Sequence, residues 1–376
     1  MRVFVSEFIC GGGLSGEPLP DSLQREGRAM LWAVVDDLLQ ISGCCVVTTL
    51  DARLTPDVAL PESSRCRIEI VANAAAEQRQ FHELAATSDA VLVIAPETNG
   101  QLADRVRRVV SFGVKSLNCS PEAIELCGDK LRLARHFEDH SLPTLPTQIV
   151  DWSLSRPVAG VGVSPTSATR FEGRESGFNR SLAWVIKPRD GAGSWLTLRV
   201  QADSPEEWQR AAMTYAAAGV SHKALVQPFV AGLPLSVGCL CQPNGEVEMF
   251  PIGHQRLSHN FEYLGGSIPA SLPAATEVAV RELVRRACAT IPGLNGHIGF
   301  DLLLPDADPT RPLIVEINPR LTTSYVGYRR LSASNLTARW LHGANLLNAP
   351  NVSPLKWSAC RIEFDASGNT RFDDAP

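Results

Sequence analysis

The sequence predicts an α/β, Rossmann-like strand–helix domain followed by an α+β region. Three observations lead there. Residues 1–118 alternate short apolar runs with amphipathic stretches, which implies a parallel sheet flanked by helices. From about residue 231 onward strands and isolated helices follow without that alternation. At 376 residues the chain can bury two or three cores.

The elements follow in chain order. "RVFVSEF" is a first strand leading to an amphipathic helix from Ser22 to Ile41, then the strand "CVVTTL". "RIEIVA", a helix near Glu77 to Thr87, "AVLVIAP", a helix from Leu102 to Phe112 and the strand "VKSLN" complete the first domain, 1–118. Ser120-Pro121-Glu122 opens a helix with an N-cap residue and proline at the first helical position, and Asp129 caps the next, "KLRLARHFEDH". This second unit, 119–230, carries a Gly-, Ser- and Pro-rich loop insertion near 151–182, then "AWVIKP", a glycine-rich turn, "WLTLRV", a helix begun at Ser204-Pro205 and the strand "ALVQPFV". The third, 231–376, holds "PLSVGCLC", a helix near Glu277 to Thr290, a hairpin over 297–318 and a helix from Asn335 to Leu347.

Composition narrows the function. A formal net charge of −5 argues against a nucleic-acid or membrane-surface binder, whose footprint is basic. No apolar run approaches bilayer length, and the start "MRVFVSEFICGGG" reaches glycine too soon for a signal peptide. The ten cysteines are scattered without a CxxC pair and read as buried free thiols of a cytoplasmic protein.

The hairpin 297–318 carries the sharpest chemical signal. In "VEINPR", Glu316 and Asn318 stand two apart and share a strand face, with Val315 and Ile317 behind them. A pairing symmetric about "PDADPTRP" sets Leu304 opposite Leu313 and Asp301 opposite Glu316. Like charges about 5 Å apart across strands repel. Two carboxylates and an amide so placed suit a hard divalent cation, Mg²⁺ or its substitute Mn²⁺, completed by water and phosphate.

Other stretches point to phosphate. "KPRDGAGSW" places Lys187 at the base of a glycine flap whose Gly191, Gly193 and Ser194 can turn backbone N–H groups toward phosphate oxygens. It is not a P-loop, because the lysine precedes the glycines and a strand follows. Lys130 stands in the first turn of a helix, where the dipole disfavours a cation unless an anion docks. Arg256, in the polar stretch 253–269, could hold a phosphoryl group or a carboxylate, although that stretch also reads as a surface loop. Gly11, Gly13 and Gly16 satisfy GxGxxG, with Asp36 and Asp37 about 20 residues on, the spacing of an NAD(P)-binding oxidoreductase. Pro18 and Pro20 prevent a helix from opening inside that motif. His136 and His140, four apart on one helix, lack the glutamate spacing of a zinc site.

Lysine on a helix, lysine before a glycine flap, a strand near 227, then Asp…Glu-x-Asn resembles, in that order, the ATP-grasp ligases. "EFICGGG", "TTLDARL", "APETNGQL", "SPEAIELCGDKL", "YLGGSIP" and "EINPRLTTSYVG" look like the tyramine–glutamate ligases of methanofuran biosynthesis and their bacterial relatives. The resemblance implies an ATP-grasp fold behind a Rossmann-like domain. It implies Lys130 and Lys187 on ATP phosphates, and Asp301, Glu316 and Asn318 on Mg²⁺. It also implies a hinge strand "VQPFV" whose Gln227 and Phe229 meet adenine, with Arg256 and Arg320 near the transferring phosphoryl group. Pro234 stands where many of these enzymes carry a ribose-binding carboxylate. The implied activity is an ADP-forming carboxylate–amine ligase acting on small molecules, glutamate and an aromatic amine among them, with a homodimer allowed. A non-catalytic ATP sensor is the other reading, against which the retained Asp301, Glu316 and Asn318 speak.

Overall fold

The computed structural model describes residues 1–57, 63–152, 171–172, 182–191, 193–220, 223–347 and 354–373, with backbone alone at 171–172. Most of the loop insertion expected near 151–182 lies outside these residues.

The first sheet has β1 (Arg2–Glu7), β2 (Cys45–Asp51), β3 (Cys66–Val71), β4 (Ala90–Ile94) and β5 (Lys115–Ser116) in the order β3-β2-β1-β4-β5. All four pairings are parallel. Helices α1 (Asp21–Leu39), α2 (Ala74–Ala86) and α3 (Gln101–Ser111) connect the strands. The strand order reverses between β1 and β4, so the loops after them open at the carboxyl edge where such sheets bind ligands. Asp37, in the last turn of α1, accepts two hydrogen bonds from Arg329 at 2.9 and 2.7 Å and one from the Tyr325 hydroxyl at 2.6 Å. It ties this domain to the C-terminal region.

Helices α4 (Pro121–Gly128) and α5 (Lys130–Asp139) lead into the second sheet, formed by β6 (Gln148–Asp151), β7 (Phe171–Glu172), β8 (Ala183–Lys187), β9 (Leu198–Gln201) and β10 (Lys223–Pro228). Its order is β7-β6-β10-β8-β9, antiparallel throughout. Helix α6 (Pro205–Ala217) covers it, with Trp208 and Tyr215 packed on Trp184, Ile186 and Val226.

The third sheet comprises β11 (Gly232–Cys241), β12 (Val247–Met249), β13 (Gly253–Leu257), β14 (Tyr263–Ile268), β15 (Gly296–Pro305), β16 (Leu313–Asn318), β17 (Ile362–Asp365) and β18 (Thr370–Phe372). Its order is β16-β15-β11-β13-β14-β17-β18, with β12 on β11. Helix α7 (Ala274–Thr290) packs on it through Val280, Leu283, Val284 and Ala287. Two short helices, α8 (Tyr325–Leu331) and α9 (Leu336–Gly343), follow β16.

Four readings change. The polar stretch 253–269 is the hairpin β13–β14, not a loop. Glycines explain how so polar a segment pairs: a Cβ at Gly265 would lie 2.1 Å from the Phe364 carbonyl, so only glycine lets β17 approach. Helix α8 was not foreseen, and the strand "VKSLN" shrinks to Lys115–Ser116. All ten cysteines are free thiols, although Cys45 and Cys360 are exposed rather than buried.

Candidate active site

A cleft between the second and third sheets collects most of the residues singled out above. Asp301 and Glu316 are register partners across β15 and β16, and Gly299 faces Asn318. Leu303, not Leu304, faces Leu313, because the register shifts between Asp301 and Leu302. That bulge inserts one residue into β16 and resets its alternation, so Val315 lines the cleft instead of packing behind the strand with Ile317. The Asp301 carboxylate accepts from Gln255 Nε2 at 2.7 Å and from Asn318 Nδ2 at 3.0 Å. Burial, and then the neighbouring Glu316 charge, push its carboxyl up to about 6.

Among the described residues no group of three His, Cys, Asp or Glu side chains is set to hold a metal. The corner offers two carboxylates and an amide, all hard oxygen donors. Burial raises Asp301 most and the Glu316 charge adds to it, and a divalent cation would relieve that like-charge contact. The donor set therefore fits Mg²⁺ or Mn²⁺.

Both lysines reach this corner. Lys130 opens α5, capped by Asp129, whose side chain accepts from Leu131 N and Arg132 N. Its Nζ lies 3.4 Å from Glu316 Oε1 and donates to the Gly191 carbonyl at 2.9 Å. Lys187 ends β8 at 7% exposure, and desolvation lowers its ammonium to about 8. The flap between β8 and β9 turns through positive φ at Gly191, Gly193 and Ser194. It is tied at its base by Arg189, which donates twice to Asp129 at 2.9 and 2.6 Å. Ser194 Oγ donates to the Phe261 carbonyl at 2.6 Å, so that hydroxyl is already engaged.

Gln227 and Phe229 line the same cleft with Leu145, Val185 and Leu303, an apolar slot beside a polar edge. The Gln227 amide is held by Thr147 Oγ1 at 2.8 Å, and Arg199 stacks on the Phe229 ring at 3.8 Å.

The two arginines part company. Arg320 lines the cleft, and its Nε donates to Glu97 Oε1 at 2.9 Å. Arg256 does not line it. Neighbours in a strand face opposite ways, so Gln255 and Leu257 point inward while the exposed Arg256 donates to the Phe364 carbonyl at 3.2 Å. The expected role of Arg256 at a phosphoryl group is corrected accordingly. The first-domain glycines are also not a dinucleotide site: residues 8–17 are turns, and α1 starts only after Pro20. A Cβ at Gly11 would lie 2.1 Å from the Glu7 carbonyl, so glycine is needed there by the loop itself.

Sequence reasoning missed Gln255, Tyr263, Glu97 and Glu26, all at or against this cleft. The run His254-Gln255-Arg256 has no apolar residue to show which of its side chains turns inward. Glu26 and Glu97 come from the first domain, and nothing local marks them.

The chain belongs to the ATP-grasp family. Residues 127–324 match its ATP-grasp domain, and residues 44–124 match the pre ATP-grasp domain. The cleft and the site just described lie mainly within the first of these segments. Among curated proteins the chain is similar to tyramine–L-glutamate ligase of Methanocaldococcus fervens, 24% identical over 242 residues. That match spans 64% of this chain and 62% of that enzyme, less than two thirds of its length. Among solved structures, these two share the fold. One is biotin carboxylase of Campylobacter jejuni in a β,γ-ATP complex (TM-score 0.69, 14% identity, 96% of this chain and 74% of that one). The other is the L-amino acid ligase of Bacillus licheniformis (TM-score 0.61, 15% identity, 96% and 78%). No described helix is long and apolar enough to cross a membrane.

Proposed function

We propose that the protein is an ATP-dependent, ADP-forming ligase that joins a small carboxylic acid to an amine through an acyl phosphate. The observation that carries this reading is the Asp301–Glu316 pair, set in register beneath two lysines in one cleft. ATP is supported by family membership and by the nucleotide in the C. jejuni complex. Glutamate and an aromatic amine are the first candidates, on the likeness to the M. fervens enzyme. We assign 1–118 to a pre-ATP-grasp domain, and 119–230 and 231–376 to the two ATP-grasp subdomains.

In this reading adenine lies in the slot of Leu145, Val185 and Leu303, with Gln227 and Phe229 at its edge. Lys130, Lys187 and the backbone of Gly191 and Gly193 meet the phosphates. Asp301, Glu316 and Asn318 would hold Mg²⁺ or Mn²⁺, which when bound neutralises phosphate charge. Arg320 faces the phosphoryl group as it passes to the carboxylate, where fixed charge and positioning carry most of the rate. Glu97 keeps its guanidinium in place. An amine then attacks the acyl phosphate, and phosphate leaves.

The test is ADP release over the amino acids crossed with primary amines, L-glutamate and tyramine included, with hydroxylamine as a universal acceptor. Hydroxamate formed together with ADP supports the acyl phosphate. AMP and pyrophosphate in place of ADP would refute it.

A further inference from the structure

Helix α1 of the first domain sends two side chains, one turn apart, into two adjoining cavities. Glu26 lines the cleft described above, a cavity of about 310 Å³. Leu23 lines a second cavity of about 1220 Å³, between the loops after β1 and β4 and the flap. Residues three apart on a helix share a face, so the cavities meet along it. Gly193, Ser194, Trp195 and Thr197 of the flap line both. The second cavity is of mixed character: Phe8, Leu14, Leu23 and the half-exposed Trp195 give it an apolar side, and Glu17, Arg199, Glu207 and Glu262 a charged rim.

Glu26 is half-buried, and among the described residues its carboxylate accepts a hydrogen bond from Thr323 Oγ1, at 3.1 Å on Oε2. Arg320, the cation that pulls most strongly on Glu26, is itself ion-paired with Glu97 at 2.9 Å. No salt bridge to Glu26 forms among the described residues. A carboxylate drawn out of water with one of its several acceptor positions filled is unusual unless it awaits a donor. Burial raises its carboxyl, against the pull of Arg320, Thr323 and Arg25, and the buried phenol of Tyr263 feels the same charge. These are the charged and titratable groups that face it.

We infer that Glu26 binds the ammonium group of the amine substrate and accepts its proton, while the amine's apolar body lies in the second cavity. This rests on the ligase reading and adds the residue that receives the acceptor's ammonium and the cavity that takes the rest of the amine. One proton passes from the ammonium to the Glu26 carboxylate. The freed lone pair forms the C–N bond at the acyl phosphate carbonyl, the C–O bond to phosphate breaks with its electron pair, and the nitrogen's second proton leaves with the phosphate.

The experiment compares two acceptors in the full-length chain: tyramine, an ammonium at neutral pH, and hydroxylamine, which is already unprotonated there. With the acid that gives wild-type ADP release, the ratio of amide to hydroxamate should fall about 100-fold in Glu26→Gln, the low end of what a general base supplies. Glu26→Asp should recover part of that ratio. Amide formation by Glu26→Gln should climb about tenfold per pH unit as the free amine replaces the missing base. A structural role would produce neither the ratio nor the slope. Amide and hydroxamate falling together, or a raised KM for the acid, would overturn this inference alone. No turnover by the wild type with any pair overturns the ligase reading, and this inference with it.

Discussion

Glu7, buried, and Asp301, half-buried at the cleft wall, are carboxylates in different sheets, and desolvation pushes both upward, to about 7 and about 6. Their surroundings differ in kind. Glu7, at the end of β1, accepts from the backbone N–H groups of Ile9 at 3.2 Å and Cys10 at 2.5 Å. Gly27 of α1 leaves room for it, since a Cβ there would lie 2.6 Å from Glu7 Oε1. Asp301 accepts from two side-chain amides and faces a second carboxylate in register. The first carboxylate shapes the loop "FICGGG", with its demand met by the chain's own backbone. The second is set against a like charge, which costs free energy unless something else arrives. Burial alone therefore does not mark a functional acid, whereas a partner of the same sign held in register, with lysines gathered beside the pair, does.

The largest effect expected from this contrast is on Asp301. Asp301→Asn should lower ADP formation by about 1000-fold or more, the scale of losing one preorganised electrostatic group. In metal-free buffer the same variant should melt close to the wild type, because relief of the like-charge contact offsets the one amide hydrogen bond that Asn cannot accept. Mg²⁺ should raise the wild-type Tm and leave that of Asp301→Asn unmoved, as binding to the folded state alone requires. A variant that loses turnover and stability together would make Asp301 another Glu7.

Glu7 should show the opposite pattern, through pH. Its folded pKa lies above the unfolded one, so its stabilising contribution is fully present below about pH 4.5 and is lost as pH rises through about 7. Between pH 5 and 8 the wild type should lose roughly 2–3 kcal/mol that Glu7→Gln does not lose. Denaturant midpoints of both proteins across that range measure it, and parallel curves would remove Glu7 from the buried-acid class. Gly27→Ala should cost about 2 kcal/mol at any pH, as overpacking against a fixed carboxylate does. Its ATP turnover should change little once the chain is folded.

Much of the Asp301 corner was legible because strand alternation and a turn-rich loop fix which residues share a face. The symmetric register was wrong at Leu304 and right at Asp301, since the bulge at Val315 shifts only the loop side of the hairpin. The lysines and the flap were legible from their order along the chain. Glu26 was not. It meets Thr323, 297 residues away, and on its own helix it looks like one more charge on a solvated face. The phase of β13 was equally hidden, because a strand with His254, Gln255 and Arg256 in sequence has no apolar face to set it.

That hidden phase gives the smallest effect and the most direct check of the correction. Arg256 is exposed, and its contacts are the Phe364 carbonyl at 3.2 Å and Glu363 at 3.8 Å, on the far side of β13 from the cleft. An exposed ion pair of that length is worth less than about 1 kcal/mol. Arg256→Ala should therefore change ADP formation by less than about twofold and move stability by under about 0.5 kcal/mol. Its neighbour Gln255 donates to Asp301 at 2.7 Å from inside the cleft. Gln255→Leu leaves that Asp301 oxygen without a donor, so turnover should fall about tenfold or more while Arg256→Ala stays near wild type. If Arg256→Ala were the more damaging of the two, β13 would present its other face to the nucleotide. Arg256 would then return to the phosphoryl group.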